Sequence, residues 1–147
     1  MKSKLIVIEG LDGSGKATQT KLLADKLTSM GKTVRKLEFP DYDSPSSSLV
    51  KMYLNGDFGK NPEDVNAYAA SAFYAVDRAA SYLKNWKTDC NNSSVILCDR
   101  YCTSNIIYQM SKVNNDERDS FIEWQSDFEY NKLGLPVPDA VIYLDVD

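Results

Sequence analysis

A glycine-rich segment that ends in a lysine is the first feature of this sequence that could do chemistry. Residues 10–18 read GLDGSGKAT, and their spacing fits the pattern GxxxxGK. Glycines let the backbone turn so that successive N–H groups point inward, and a helix starting near Lys16 adds the positive end of its dipole. The segment therefore predicts a loop that binds the phosphates of a nucleotide. Its predicted binding residues are Gly10, Asp12, Gly13, Ser14, Gly15, Lys16, Ala17 and Thr18.

The residue after that lysine departs from the usual pattern. A Ser or Thr there usually supplies a hydroxyl to Mg²⁺, but this chain has Ala17, and Thr18 comes one position later. One residue on a helix is a rotation of about 100°, so Thr18 is expected to face elsewhere. A magnesium ion would then rely on phosphate oxygens, water and nearby carboxylates, for which Asp12 and Asp99 are the candidates.

A second charged cluster, Asp99-Arg100-Tyr101, follows a short apolar segment. A guanidinium at position 100 could hold a second phosphate through two parallel hydrogen bonds, although Asp99 and Arg100 could also form only a surface ion pair. Two facing anion sites suit phosphoryl transfer between nucleotides. A phosphate acceptor is already ionised at neutral pH, so charge and alignment, with no general base, would supply the catalysis. The catalytic candidates are Lys16, Asp99 and Arg100.

Composition narrows the possible chemistry further. The 147 residues include no histidine, which excludes Ser-His-Asp and Cys-His triads and His-ligated metals. The net charge is −4, yet residues 1–36 carry 8 basic and 3 acidic groups, which suits a small anionic ligand better than nucleic acid. Three cysteines without a CxxC pair indicate a reducing compartment. Apolar runs are far shorter than the ~20 residues of a membrane span, so a cytoplasmic protein is expected.

Short apolar segments alternate with helical patterns along the chain. Strands are predicted at 4–9, 33–39, 94–98 and 140–146. Helices are predicted from Lys16 to a cap at Gly31, over 48–54 and 62–86, from near Ser104, and over 116–130. This alternation predicts one α/β domain, residues 1–147, with a parallel sheet covered on both faces. Ligands bind such sheets beyond the carboxyl ends of the strands, where the charged clusters fall.

Several motifs together resemble thymidylate kinases, a family of P-loop nucleoside monophosphate kinases. The likeness runs from Leu5 to Asp147. The motifs are EGLDGSGKATQ at 9–19, Phe39-Pro40, FYAVDR at 73–78, Asp99-Arg100-Tyr101 with Ser104, Asn105, Tyr108 and Gln109, and GLPVPD at 134–139. The resemblance implies a three-layer P-loop NTPase fold and ATP-dependent phosphorylation of dTMP to dTDP, with Mg²⁺.

The resemblance also implies roles for individual residues. Arg100 would bind the acceptor's 5′-phosphate, Arg78 and Asn105 would hydrogen-bond the thymine edge, and Tyr108 would crowd the 2′ position. Aligning on Arg78 places Tyr74, rather than Phe73, at the base-stacking position. The implied acceptor-binding residues are Asp12, Phe39, Pro40, Tyr42, Phe73, Tyr74, Arg78, Arg100, Ser104, Asn105 and Tyr108. Taken singly, each aromatic residue is more often a core residue than a ligand contact, and Arg78 could be a solvated helix residue.

The resemblance leaves alternatives open. Family members continue past the last predicted strand into a basic lid and an adenine-contacting part, so the chain is expected to be C-terminally truncated. The truncated chain could bind nucleotides without turning them over. A deoxynucleoside kinase would need a carboxylate beside the 5′-hydroxyl, and Asp99 could serve. Family resemblance also suggests a homodimer, with small nucleotides and neither nucleic acid nor a membrane as partners.

Overall fold

The structure of the chain, a computed structural model, describes residues 2–92 and 94–147. The strands are β1 (Lys4–Gly10), β2 (Val34–Glu38), β3 (Val95–Asp99) and β4 (Ala140–Leu144). The α-helices in the described residues are α1 (Lys16–Ser29), α2 (Ser48–Leu54), α3 (Ala67–Ser81), α4 (Thr103–Gln109) and α5 (Arg118–Ser126). Short 3₁₀ and π turns connect them.

The four strands form one parallel sheet in the order β2-β3-β1-β4. Each strand differs from its predicted range by one or two residues at an end, and the predicted α/β class is confirmed. In the register of the sheet, Asp99 at the end of β3 lies opposite Ile8 of β1 and Glu38 of β2. The carboxyl ends of these strands therefore meet at one edge, as ligand binding by a parallel sheet requires.

The centre of the sheet is buried, but its β4 edge is not. Val7, Ile96 and Leu97 are fully buried, which is typical of central parallel strands. Along β4, Val141 and Ile142 on opposite faces are both more than 40% exposed. The expectation that helices cover both faces is therefore wrong at β4, since side chains on both of its faces meet solvent.

Helix α1 follows the phosphate loop with a different buried face from the one its leucines suggested. Its buried residues are Lys16, Thr20 and Ala24, spaced by one turn, whereas Leu22 is 55% exposed. The position of the lysine at the end of the loop sets which face turns inward. The predicted end is confirmed, because the Gly31 and Lys32 N–H groups bond back to the carbonyls of the last turn.

Two predicted helices are shorter than expected. The range 62–86 divides into a 3₁₀ turn at Pro62–Asp64, α3, and a π turn at Tyr82–Trp86. The break arises because Val65 is extended and the Asn66 side chain caps α3 by accepting a bond from the Ala69 N–H. The range 116–130 likewise contains α5 followed by a π segment at Asp127–Lys132. The short helix at Ser48–Leu54 is confirmed.

The chain divides into two compact units. Unit one comprises the residues up to Phe39, Leu83–Tyr101 and Pro136–Asp147, and it contains the sheet and α1. Unit two comprises Pro40–Tyr82 and Cys102–Leu135, and it contains α2 to α5. The single domain over residues 1–147 stays a prediction. Within residues 2–92 and 94–147, no helix has both the length and the apolar character needed to cross a membrane.

The cap of α3 gives a test of where that helix begins. Asn66→Ala should lower the free energy of unfolding by about 1 kcal/mol, because the Ala69 N–H loses its side-chain acceptor. Denaturant unfolding measures the change. Asn114→Ala is the matched control, since Asn114 precedes a 3₁₀ turn without a side-chain cap bond and should change stability by less than about 0.5 kcal/mol. Equal losses in both variants would contradict the assigned cap.

Candidate active site

The phosphate loop joins the end of β1 to the start of α1 in unit one. Gly13 and Gly15 have φ of 81° and 91°, the left-handed region that favours glycine. A Cβ on Gly10 would lie 2.5 Å from the Ser14 Oγ, so a larger residue there would displace that hydroxyl. The loop closes through a bond from the Ser14 N–H to the Leu11 carbonyl. The predicted strand, loop and helix are all present.

Two polar groups of this loop suit an anionic ligand. The Lys16 ammonium is buried within the loop, where its Nζ lies 3.3 Å from the Leu11 carbonyl. The Ser14 Oγ is buried and has no hydrogen-bond partner among the residues that the structure describes. Buried polar atoms are usually hydrogen-bonded, so a ligand or a water molecule is expected to bind this hydroxyl. The loop thus brings together the buried cation of Lys16, the Ser14 hydroxyl that is available to a ligand, and the N-terminus of α1.

Asp99 and Arg100 lie beside this loop at the end of β3. The Arg100 Nη2 donates a hydrogen bond to the Asp12 carboxylate of the loop. Burial raises the pKa of the Asp99 carboxyl above its ordinary value, and the nearby charges of Lys16 and Arg100 oppose that shift. Unit one therefore brings together the four predicted charged groups, namely Asp12, Lys16, Asp99 and Arg100.

The backbone at Arg100 is held in a conformation that non-glycine residues rarely adopt. Its φ is 68°, which costs roughly 1–2 kcal/mol. Hydrogen bonds on either side fix this turn: the Arg100 N–H donates to the Ile8 carbonyl at 3.0 Å, and the Tyr101 N–H donates to the buried Glu9 Oε1 at 3.1 Å. The turn directs the Arg100 side chain toward the loop. Glu9 is therefore a positioning residue that sequence reasoning did not single out, although a glutamate in an apolar strand was a visible signal.

A small cavity of unit one lies beside Ala17. Its volume is about 240 Å³, and its lining residues are Ala17, Thr20, Lys21, Lys36, Leu37, Glu38 and Asp99. The Thr20 hydroxyl donates to the Lys16 carbonyl, and Thr18 is exposed. Ala17 contributes only a methyl group, so Asp99 and Glu38 supply the carboxylate oxygens on this wall. No cluster of three acidic, Cys or His residues suited to a metal occurs within the described part of the chain.

Unit two contains the residues implied for an acceptor base. Arg78 of α3 and Asn105 of α4 are both nearly fully buried. The guanidinium of Arg78 pairs with the Glu129 carboxylate, and the Asn105 Nδ2 donates to the Ser71 carbonyl at 3.2 Å. Their side chains are thus held in fixed positions by partners within unit two. Their contact with a base stays a prediction.

The predicted aromatic residues occupy different environments. In unit two, the Tyr74 ring meets Tyr53 edge-on at 6.3 Å, and Phe73 packs against Phe58 at 5.3 Å. In unit one, Phe39 is buried 6.1 Å from Tyr101. The remaining predicted residues are placed as follows: Pro40 is buried, Ser104 is half-buried, and Tyr42 and Tyr108 are exposed.

Two further acidic residues of unit two were absent from the sequence-based site. The buried Asp77 accepts hydrogen bonds from the Asp41 N–H at 2.8 Å and from the Ser46 Oγ at 2.6 Å, and so holds the loop after Pro40. Its place directly before Arg78 was an available signal. No sequence signal distinguished Glu129, because it lies in a segment with several other acidic residues.

Comparison with known proteins gives a consistent family likeness. The family model described as thymidylate kinase matches residues 8–147. The thymidylate kinase of Mycobacterium tuberculosis is 32% identical over 143 residues, which are 97% of this chain and 65% of that protein. The thymidylate kinase of Caenorhabditis elegans is 31% identical over 97% of this chain and 62% of its own length. The chain thus spans less than two thirds of these relatives.

Solved structures show the same likeness in the fold. Thymidylate kinase from Candida albicans matches with a TM-score of 0.73 and 28% identity, over 99% of this chain and 64% of that one. Thymidylate kinase from Ehrlichia chaffeensis matches with a TM-score of 0.74 and 26% identity, over 100% of this chain and 74% of that one.

The raised pKa of Asp99 predicts how stability depends on pH. The folded state holds the Asp99 proton more tightly than the unfolded state does, because burial penalises the charge. The contribution of this carboxyl to the free energy of unfolding is therefore fully present below its ordinary pKa of about 4. It is lost as the pH rises through the pKa of Asp99 in the folded state. Asp99→Asn should gain stability relative to the native chain as the pH rises above about 4, as measured by urea unfolding. A trend of the opposite sign in Asp99→Asn would refute the assignment.

The left-handed backbone of Arg100 predicts an unusual order of stabilities. Arg100→Gly should be more stable than Arg100→Ala by about 1 kcal/mol, because both lose the bond to Asp12 but only glycine adopts this φ without strain. Thermal or denaturant unfolding of the two variants gives the difference. At Lys21 in the middle of α1 the order should reverse, since glycine weakens a helix. Equal stabilities of the two Arg100 variants would argue against the strained turn.

Proposed function

This chain belongs to the thymidylate kinase family, and on that premise we propose that it transfers the terminal phosphoryl group of ATP to dTMP, giving dTDP and ADP. Membership confirms the resemblance seen in the motifs, and the solved relatives confirm the P-loop NTPase fold. The observation that carries the proposal is the convergence of Lys16, Asp99 and Arg100 at the carboxyl ends of β1 and β3. The predicted homodimer and cytoplasmic location stay predictions.

The charged groups of unit one suit phosphoryl transfer without a general base. The ammonium of Lys16 and the N–H groups of the loop would hold the phosphates of ATP, and the Ser14 hydroxyl is available to them. Arg100 would exchange its bond to Asp12 for the acceptor's phosphate, which is already ionised at neutral pH. Catalysis then comes from alignment of the two phosphates and from cations placed where charge develops.

Phosphate oxygens and water would supply most of the ligands of a magnesium ion, and the protein would supply few. Carboxylate oxygens are ligands that Mg²⁺ prefers, and the ion commonly uses one or two of them together with phosphate oxygens and water. Asp99 and Asp12 fit this requirement, whereas Ala17 offers no ligand atom. When bound, Mg²⁺ would neutralise part of the phosphate charge.

Unit two would supply the selectivity for the base. A guanidinium has only donors, so Arg78 suits the carbonyl at the edge of thymine better than the amino group of cytosine. Asn105 would add a second polar contact, and Tyr74 presents an aromatic ring for stacking. The other acceptor-binding residues implied by the resemblance, Phe39, Pro40, Tyr42, Phe73, Ser104 and Tyr108, would line the acceptor's surroundings.

An ADP-release assay with several acceptors tests the proposal. With ATP and Mg²⁺ present, dTMP should raise the rate of ADP release more than dCMP or AMP does. Phosphorylation of dCMP or AMP but not dTMP would make the substrate assignment wrong. Calorimetric binding of ATP and dTMP without turnover would instead support a nucleotide-binding module. Absence of binding for both ligands would refute the proposal as a whole.

Arg100 gives a second test through acceptor affinity. Arg100→Ala should weaken dTMP binding by about 2–5 kcal/mol if the guanidinium holds a largely desolvated phosphate. Arg35→Ala is the matched control, because Arg35 forms a partly exposed ion pair with Asp89 elsewhere in unit one and should change dTMP binding by less than about 0.5 kcal/mol. Calorimetry measures both variants. A similarly small effect of Arg100→Ala would show that Arg100 forms a surface ion pair and does not hold the acceptor's phosphate.

A further inference from the structure

Glu129 of unit two lies in a network of buried polar side chains, whereas the carboxylate of Asp12 in unit one is exposed to solvent. The Glu129 Oε1 accepts hydrogen bonds from the Nε and Nη2 of Arg78, the former at 2.8 Å. Its Oε2 accepts a bond from the Gln125 Nε2, also at 2.8 Å. All three side chains are at most 2% exposed. Glu129 lies within the π segment Asp127–Lys132, and such segments are frequent at functional sites.

Stability alone is a weak reason for such a pair. Removing two charges from water costs several kcal/mol per ion, and buried pairs can often be replaced by apolar residues without loss. The pair does, however, fix orientation. A guanidinium is planar, so holding its Nε edge with one carboxylate oxygen also fixes the direction of its remaining donors.

The carboxylate of Glu129 is itself held in place. The Gln125 Nε2 that bonds to Glu129 also donates to the Cys102 carbonyl at 2.5 Å. This connects the start of α4, through α5 and the π segment, to Arg78 on α3. Burial raises the pKa values of the Cys102 thiol and the Tyr130 hydroxyl, which both neighbour Glu129. Both groups therefore stay neutral and do not compete with Glu129 as counterions.

Asp77, the residue beside Arg78 in sequence, serves a different purpose. Its two carboxylate oxygens accept bonds from the loop residues Asp41 and Ser46. The carboxylate that bonds the Arg78 guanidinium is instead that of Glu129, which lies 51 positions away in the chain.

We propose that Glu129 is a positioning residue that sets the selectivity for the acceptor's base by orienting the guanidinium of Arg78. This inference rests on the proposed function, in which Arg78 donates to a carbonyl at the edge of the base. Fixed donors favour a base with a carbonyl at that position and disfavour one with an amino group. With the Glu129 carboxylate withdrawn, the guanidinium would lose two of the hydrogen bonds that fix its direction and would distinguish the two bases less well.

Three variants of the full chain separate orientation from folding. Glu129→Asp keeps the charge but withdraws the carboxylate by one methylene. Gln125→Met leaves the ion pair and removes its second anchor. Glu129→Gln removes the charge, and its partner Arg78 is then buried without a counterion, so this variant is the one at risk of unfolding. Glu123→Gln is the matched control, because Glu123 is an exposed residue of α5.

Calorimetric titrations with dTMP, dCMP and ATP give the readout, and circular dichroism confirms that each variant is folded. For Glu129→Asp and Gln125→Met, the Kd for dTMP should rise about 10- to 100-fold, since loss or misalignment of a hydrogen bond from a charged donor has an effect of that size. The Kd values for dCMP and ATP should change less than about twofold. Glu123→Gln should match the native chain for all three ligands.

The pattern of outcomes distinguishes the inference from its premise. An unchanged ratio of dTMP to dCMP affinities in folded Glu129→Asp and Gln125→Met overturns the positioning role. Proportional loss of both acceptors also overturns it, since that result indicates a purely structural pair. If the native chain itself binds no dTMP, the proposed function fails, and the inference fails with it.

Discussion

The parallel register of β1 and β3 is the constraint on which the charged site of unit one depends. Asp99 lies opposite Ile8, so the chain leaves both strands at the same edge of the sheet. Lys16 then follows β1 through the glycine loop, and Arg100 follows β3 directly. A slip of one residue would turn Asp99 to the other face of the sheet. Val7, Ile96 and Leu97 are fully buried, and their close packing opposes that slip, so the apolar core of the sheet helps to determine where the charges meet.

That register also explains how a strained turn persists at Arg100. The left-handed backbone costs free energy, but the turn lets the Arg100 N–H reach the Ile8 carbonyl and the Tyr101 N–H reach the Glu9 carboxylate. The Tyr101 ring is then buried near Trp86, and its hydroxyl donates to the Pro136 carbonyl. These bonds offset the strain, and the reversal of the chain directs the guanidinium to Asp12. Glu9 thus acts on the site through the backbone N–H of Tyr101.

Elements whose ends are marked by local residues were predicted correctly from the sequence. Features that depend on a contact between residues far apart in the chain were not. Gly10 and Gly31 mark the ends of β1 and α1, and both elements were predicted to within a residue or two. The break before α3 was missed because apolar periodicity continues across Val65 and Asn66, although the Asn66 cap starts a new helix. The pairing of Arg78 with Glu129 could not be predicted, since it spans 51 positions and the surrounding acidic residues look alike. The charged cluster of unit one was predicted because strand order alone brings it together.

Arg100 of unit one and Arg78 of unit two differ in how easily they can change partners. Arg100 bonds to Asp12, whose side chain is 89% exposed, and ion pairs of this exposure contribute at most about 1 kcal/mol. An incoming phosphate can therefore replace Asp12 at little cost, while the freed carboxylate returns to water. Arg78 pairs with a fully buried carboxylate, and removing that partner would leave a buried charge at a cost of about 3–5 kcal/mol. Arg100 is thus suited to release its partner for the phosphate of the proposed acceptor, whereas Arg78 keeps its buried partner.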